Sequence, residues 1–309
     1  MFARSNAIGF RVKGSMDYVE RYIEMQRVKG NRFALLNGVL FIRRDRWIVP
    51  VGPVAQDFYV NKSQCRQLLH KLGGLWVMWT DGFELSSQCS DWYTVICRQH
   101  IPIETITNGK RRSELRRALR ESEVRMVDAE EIARNGYETY SAVMTNRYPF
   151  ATLIKESEFR RRVRVDSLFN DLRHHWGAYC DGKMVAFAQN LIYDTVEVNY
   201  SMINLHPEYL NRYCGYHLIY KMNEYYLAEK NFQYVNDGFR SIGHETGIQD
   251  FLINKFGFEK AYTGLHVHYQ PLFGQILRFS HPFRAIATQL FPKVQGLFEM
   301  DRLRMPNNK

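Results

Sequence analysis

Two turn-linked β-meanders, each running into a helix, predict an α/β protein of the α+β type with two lobes, each a mixed, largely antiparallel sheet flanked by helices. The first meander is centred on Asn37-Gly38 and the second on Asp181-Gly182, where a tight hairpin needs residues that accept positive φ. A length of 309 residues with 45% hydrophobic content is ample for two medium cores.

The first lobe begins with expected strands at Phe33 to Leu36, Val39 to Arg43 and Trp47 to Val51, closed by Pro50 and Pro53. Leu68, Leu69 and Leu72 give Ser63 to Leu72 an apolar helical side, and strands follow at Leu75 to Trp79 and Trp92 to Cys97. Pro102, Thr105, Thr107 and Asn108 mark a boundary before a basic helix over Lys110 to Arg120. The expected division is therefore a lobe at 1–105, a lobe at 106–270 and a tail at 271–309. In the second lobe Val124 to Val127 reads as a strand, and Asp128-x-x-Glu131 as the start of one helix to about Asn146. Glu156 to His174 reads as another helix. Strands at Trp176 to Cys180, Lys183 to Tyr193 and Thr195 to Asn204 form the second meander. Helix Gly215 to Glu229, strand Phe232 to Val235, helix Gly247 to Lys255 and strand Lys260 to Tyr269 complete the lobe. Pro282 and Pro292 break the tail into helical stretches.

A net charge of +10 and an isoelectric point near 9.3 favour an anionic partner: a phosphate-bearing cofactor tail, a nucleic acid or an anionic lipid surface. Five cysteines without C-x-x-C or Cys/His spacing argue against a disulfide framework or a zinc site, so no metal is expected. The N-terminus lacks the apolar run of a signal peptide, and no window reaches the roughly 20 apolar residues of a membrane span. A cytoplasmic location is expected, with peripheral contact at the inner face of the membrane as the alternative use of the tail, whose apolar and basic residues fit either a bilayer or the protein's own lobes.

The chemistry centres on the second lobe. A polar strand followed by a Gly-bearing turn into a helix presents backbone N–H groups and a positive dipole end to a pyrophosphate. Arg212, Tyr213, Cys214, Gly215, Tyr216 and His217 are therefore the expected cofactor-binding residues. Strand alternation sets Glu197, Asn199 and Ser201 on one face, Glu197 being the expected general base and Asn199 a substrate contact. The dense segment Asn236 to Glu245 adds Asp237 and His244 as proton acceptors, with Arg240, Ser241 and Glu245 as substrate-binding residues. The basic helix reads either as a phosphate track or as a solvated face.

Three passages carry a family resemblance: RRSELRRALRESEVRMVDAEEI, HPEYLNRYCGYHLIYKMNEYYLAEKNFQYVNDG and GIQDFLINKFGFEKAY. Together they resemble the GNAT acetyltransferase superfamily, and the two-lobed layout is similar to its FemABX/BioF2-like branch of tandem GNAT units. The family's Arg/Gln-x-x-Gly-x-Gly/Ala phosphate loop is matched at Arg212 and Gly215, with His217 in place of the last small residue. The tyrosine such enzymes often place before the closing Gly-Phe is Ile253 here. The resemblance implies an N-acyltransferase that moves an acetyl or other acyl group from acyl-CoA to an amine of a small metabolite or cell-envelope precursor. It also implies two alternatives: a Fem-type transferase using aminoacyl-tRNA, and a GNAT-like binding module without turnover.

Overall fold

The computed structural model describes residues 15–147, 152–242, 247–291 and 294–304. The first lobe runs through α1 (Ser15–Val28), β1 (Phe33–Leu36), β2 (Val39–Arg44), β3 (Trp47–Val51), α2 (Lys62–Leu72), β4 (Trp76–Leu85) and β5 (Tyr93–Cys97). Asn37 and Gly38 take φ of 50° and 79°, which closes the β1–β2 hairpin as the sequence predicts. Asn61 caps α2 by a reciprocal pair, accepting from the Gln64 amide at 2.9 Å while Gln64 Oε1 accepts from its own amide at 3.0 Å. α1 is not among the elements the sequence predicts. Its inner residues Tyr22 and Met25 find their cover across the lobes, on Leu40 and Ile42 but also on Leu191 and Tyr193, and the Tyr22 hydroxyl donates to the Ile192 carbonyl at 3.0 Å.

The second lobe comprises α3 (Gly109–Glu121), β6 (Glu123–Val127), α4 (Ala129–Asn135), α5 (Tyr137–Arg147), α6 (Glu156–Arg164), β7 (Arg173–Cys180), β8 (Lys183–Tyr193), β9 (Glu197–Leu205), α7 (Cys214–Asn223), β10 (Tyr234–Phe239), α8 (Ile248–Phe256) and β11 (Glu259–Tyr269). Two expected helices are shorter than their sequence patterns. The one from Asp128 is split at Gly136, where a Cβ would stand 2.8 Å from the Ile132 carbonyl oxygen and 3.4 Å from Phe187, so only glycine lets the segment pack this closely on β8. The one from Glu156 ends at Arg164, past which Asp166 turns inward to His175 and Arg173 of β7 and to Lys29 just beyond α1, contacts that hold its carboxyl at about 2 despite burial. α7 likewise gives way at Asn223 to a wider π-type turn over Glu224–Glu229.

All eleven strands join one sheet in the order β1-β2-β3-β4-β11-β5-β10-β9-β8-β7-β6. Read outward from its centre, between β11 and β5, the first five strands follow the same pattern in both directions, and β6 adds a sixth on the β5 side. β11 and β5 are each antiparallel to the next strand, β4 and β10 are each parallel to the strand beyond, β3 and β9, and antiparallel hairpins follow. The two lobes thus repeat one topology, and each inserts a strand into the other: β5 precedes the expected 105/106 boundary yet lies between β10 and β11. The main core covers one face of the second half, where Val95, Val198 and Val235 meet Leu218 and Met222 of α7 and Leu252 of α8.

The tail forms α9 (Pro271–Ser280), α10 (Arg284–Leu290) and α11 (Gln295–Leu303). Met300 and Leu303 of α11 bury against Trp92 and Leu265, and Phe273 of α9 stacks on Trp76 at 5.9 Å. α10 contributes no buried residue.

Because β5 is shared, Ile96→Ala, fully buried between β10 and β11, is expected to cost about 2–5 kcal/mol. Urea unfolding followed by far-ultraviolet circular dichroism and by tryptophan fluorescence should show the loss in one coincident transition for both lobes.

Candidate active site

β9 and β10 run parallel and pair at only three positions, Tyr234 with Glu197, Val235 with Val198 and Asn236 with Asn199. β9 then continues to Leu205 on β8 alone, while β10 continues to Phe239 on β5. The strands therefore part after Asn199 and Asn236, leaving between them an edge of β9 without a partner strand among the described residues. Each strand is irregular where they part. On β9, pairing with β8 jumps from Leu191–Asn199 to Gln189–Met202, inserting an extra residue and ending the strict alternation of Glu197, Asn199 and Ser201 that the sequence predicts. On β10, pairing with β5 jumps from Asn236–Ile96 to Phe239–Thr94, so Asp237 and Gly238 form a bulge in which Gly238 has φ of 92°.

Asn236 fixes that bulge. Its Oδ1 accepts from the Gly238 amide at 2.6 Å and from Thr94 Oγ1 at 2.5 Å, while its Nδ2 donates to Glu197 Oε1 at 2.9 Å. Gln249, in the first turn of α8, adds Nε2 bonds to the Gly238 and Phe239 carbonyls at 3.3 and 3.2 Å. Asp237 is held at the mouth of the opening by this framework. Desolvation pushes its carboxyl up to about 7, against the pull of Arg147 and a hydrogen bond with Gln249. A carboxyl near 7 is matched to accepting a proton at neutral pH.

No protein-family model matches the chain, and no curated protein matches it. Among solved structures, FemX is similar with a TM-score of 0.53 and 12% sequence identity, over 83% of this chain and 93% of that one. The C-terminal domain (DUF2156) of a protein described as a lysylphosphatidylglycerol synthetase, from Agrobacterium fabrum, gives 0.49 at 11% identity, over 89% and 97% of the two chains. A tandem GNAT protein from the clavulanic acid biosynthesis pathway gives 0.45 at 10%, over 82% and 95%. The first of these decides the fold. It is FemX-like. The α/β fold class expected from the sequence, a mixed and largely antiparallel sheet flanked by helices, stands with it.

Within this FemX-like fold the expected site residues separate. Glu197 is corrected from general base to anchor: it is 1% exposed, and besides Asn236 its carboxylate accepts from the Val54 amide at 2.6 Å and the Tyr234 hydroxyl at 3.0 Å. Burial raises the pKa of its carboxyl, and these donors oppose the rise. Asn199 stands half-buried where the strands part. Arg240 donates to the Asp91 carbonyl at 2.9 Å, covers the Tyr93 ring and approaches Glu299 of α11 at 3.8 Å. Ser241 is half-buried just past β10, and His244 and Glu245 lie outside the described residues.

The expected phosphate cradle has fewer free donors than its spacing suggests. The amides of Tyr213, Tyr216 and His217 already bond to the carbonyls of Leu210, Tyr213 and Tyr213 at 3.2, 2.8 and 3.3 Å. Gly215 is small for another reason, since a Cβ there would meet Leu205 Cδ1 at 2.9 Å. The His217 ring leans on Ser122 through Nδ1 at 2.9 Å and is lowered to about 4 by desolvation; Cys214 is buried and raised to about 11. Arg212 reaches Asp181 Oδ2 at 2.7 Å, on the β7–β8 turn. Ile253, where the family tyrosine is absent, packs against the main core. Val54, Thr94, Tyr234, Asn236 and Gln249 are the functional neighbours the sequence reading leaves out. Asn236 adjoins an expected residue, whereas Val54 comes from the other lobe with no signal in spacing.

Glu197→Ala leaves three donors without this acceptor, two of them buried and one half-buried, and is expected to cost about 3 kcal/mol, measured by urea unfolding at pH 7. The raised Asp237 carboxyl stabilises the fold below its unfolded value of 3.8, and that contribution is lost as pH rises through about 7. Asp237→Asn should accordingly raise the melting temperature at pH 8 and leave it unchanged near pH 3.

Proposed function

We propose that this chain is an acyltransferase of the GNAT type, moving an acetyl or other acyl group from acyl-CoA to an amine of a small metabolite or cell-envelope precursor. The observation that carries the reading is the parting of β9 and β10 after three paired positions, with Asp237 at its mouth. An unpaired strand edge offers amides and carbonyls to an extended, amide-bearing arm laid beside it, as an added strand would be bound. The acyl carbonyl then lies where the strands diverge. Asp237 takes a proton from the attacking amine, the nitrogen bonds to the thioester carbon, and the C–S bond breaks to release a thiolate. The proton carried by Asp237 returns to that thiolate, so amide and free thiol are the products. Units at 1–105, 106–270 and 271–309 are part of the proposal, the second holding the transfer site and the first contributing Val54 to its support.

The committed amides at Tyr213, Tyr216 and His217 favour a second reading, a GNAT-like module that binds its ligand without turnover. Thiol release from acetyl-CoA with a panel of amines separates the two. The expected result is turnover whose kcat/KM rises with pH through about 7 and whose kcat falls about 100-fold or more in Asp237→Asn. CoA binding without thiol release establishes the module, and transfer from aminoacyl-tRNA but not from acyl-CoA replaces the donor.

A further inference from the structure

Leu272, Ile276, Phe279, Phe283, Ile286 and Leu290 recur at the three- and four-residue spacing of a single helical stripe. Such a stripe ordinarily faces a core. Here every one of the six exposes between 57% and 76% of its surface, while the inner side of α9 is anchored by buried Leu277 and by Phe273 on Trp76. Phe291 continues the exposed run. A contiguous apolar surface of this kind marks an interaction site rather than scattered surface leucines.

Within the stripe's own segment the charge is of one sign, and Asp301 beside it is paired with His281 and Arg304. Residues 271–291 contain Arg278 and Arg284 and no Asp or Glu. Under α9 lies a cavity of about 390 Å³, into which Arg66, Arg278 and Arg304 project beside His268. Arg304 is paired with Asp301 Oδ1 at 2.9 Å, whereas Arg66 and Arg278 form no ion pair or hydrogen bond among the described residues. His268 Nε2 is buried there without a hydrogen-bond partner among those residues.

We propose that α9 and α10 seat the protein on an anionic lipid bilayer, with the apolar stripe at the acyl boundary and Arg278, Arg284 and Arg66 engaging lipid phosphates. Charge selects this occupant over a second copy of the chain. Two stripes laid together bring Arg278 and Arg284 against their counterparts with no acid in 271–291 to pair them, whereas an anionic surface neutralises both. The net charge of +10 adds long-range attraction of the same sign. None of the helices among the described residues is long and apolar enough to cross a membrane, and a short helix with one apolar face and flanking arginines is suited to lying in the interface.

The test is co-sedimentation of the full chain with vesicles of phosphatidylcholine alone and of phosphatidylcholine with phosphatidylglycerol, alongside size-exclusion chromatography. The expected result is binding to the phosphatidylglycerol vesicles that weakens with salt, drops about 10-fold or more in Phe279→Asp/Ile286→Asp, and loses its lipid preference in Arg278→Glu/Arg284→Glu. All four positions are exposed, so unchanged circular dichroism separates lost docking from lost folding. Wild type left in the supernatant with both vesicles, equal binding to both, or variants that bind as wild type would overturn the proposal. A solution dimer that Phe279→Asp splits, without vesicle binding, assigns the stripe to a second copy instead. None of these outcomes depends on acyl transfer.

Discussion

The backbone pairing of β5 is the constraint on which the rest of the structure depends. This five-residue strand from the first lobe fills the gap between β10 and β11, and β11 in return fills the gap between β4 and β5. Each exchanged strand satisfies main-chain donors and acceptors that would otherwise be buried unpaired, so neither half of the sheet is complete without the other. The exchange also determines the candidate site. With one edge of β10 taken by β5, the strand is free to leave β9 after Asn236 without losing its place in the sheet, and the opening has a rigid wall.

A buried carboxylate ties that wall to the first lobe. Glu197 gains Val54, Tyr234 and Asn236 as donors, and these contacts offset the desolvation that its position at the start of β9 imposes. Asn236 passes the constraint onward, since the amide that donates to Glu197 belongs to the same side chain whose oxygen holds Gly238 and Thr94. The backbone on both sides of Asp237 is therefore fixed by its neighbours' contacts. Its raised carboxyl follows from place rather than from a neighbouring acid: burial is the largest cause, and its charged neighbour, Arg147, acts in the opposite direction.

The tail shows how one sequence pattern serves two ends. α11 and the inner side of α9 complete the core around Trp92 and Trp76, as an apolar stripe in a folded chain usually does. The outer side of α9 and all of α10 carry the same residue types and face outward. Hydrophobic spacing identifies a face and its period; what covers the face is set by the space the rest of the fold leaves beside it.

The sequence by itself determined the local structure and the fold class. Asn37-Gly38 and Asp181-Gly182 set their hairpins because few other residues accept those φ angles, and the order of strands and helices around Arg212 to Gly257 was enough to indicate the architecture. Asp237 was legible as a candidate beyond a core strand, but the desolvation that raises its carboxyl was not. The contacts that decide them join positions far apart in the chain: Val54 with Glu197, Thr94 with Asn236, and β5 with β10. The Gly215 turn looked open from its spacing, and only the tertiary structure showed the approach of Leu205 and the bonds already made at Tyr213, Tyr216 and His217. Spacing along a chain records local backbone geometry, whereas access, desolvation and hydrogen-bond saturation depend on which distant segment arrives, and that is fixed only when the sheet closes around its exchanged strands.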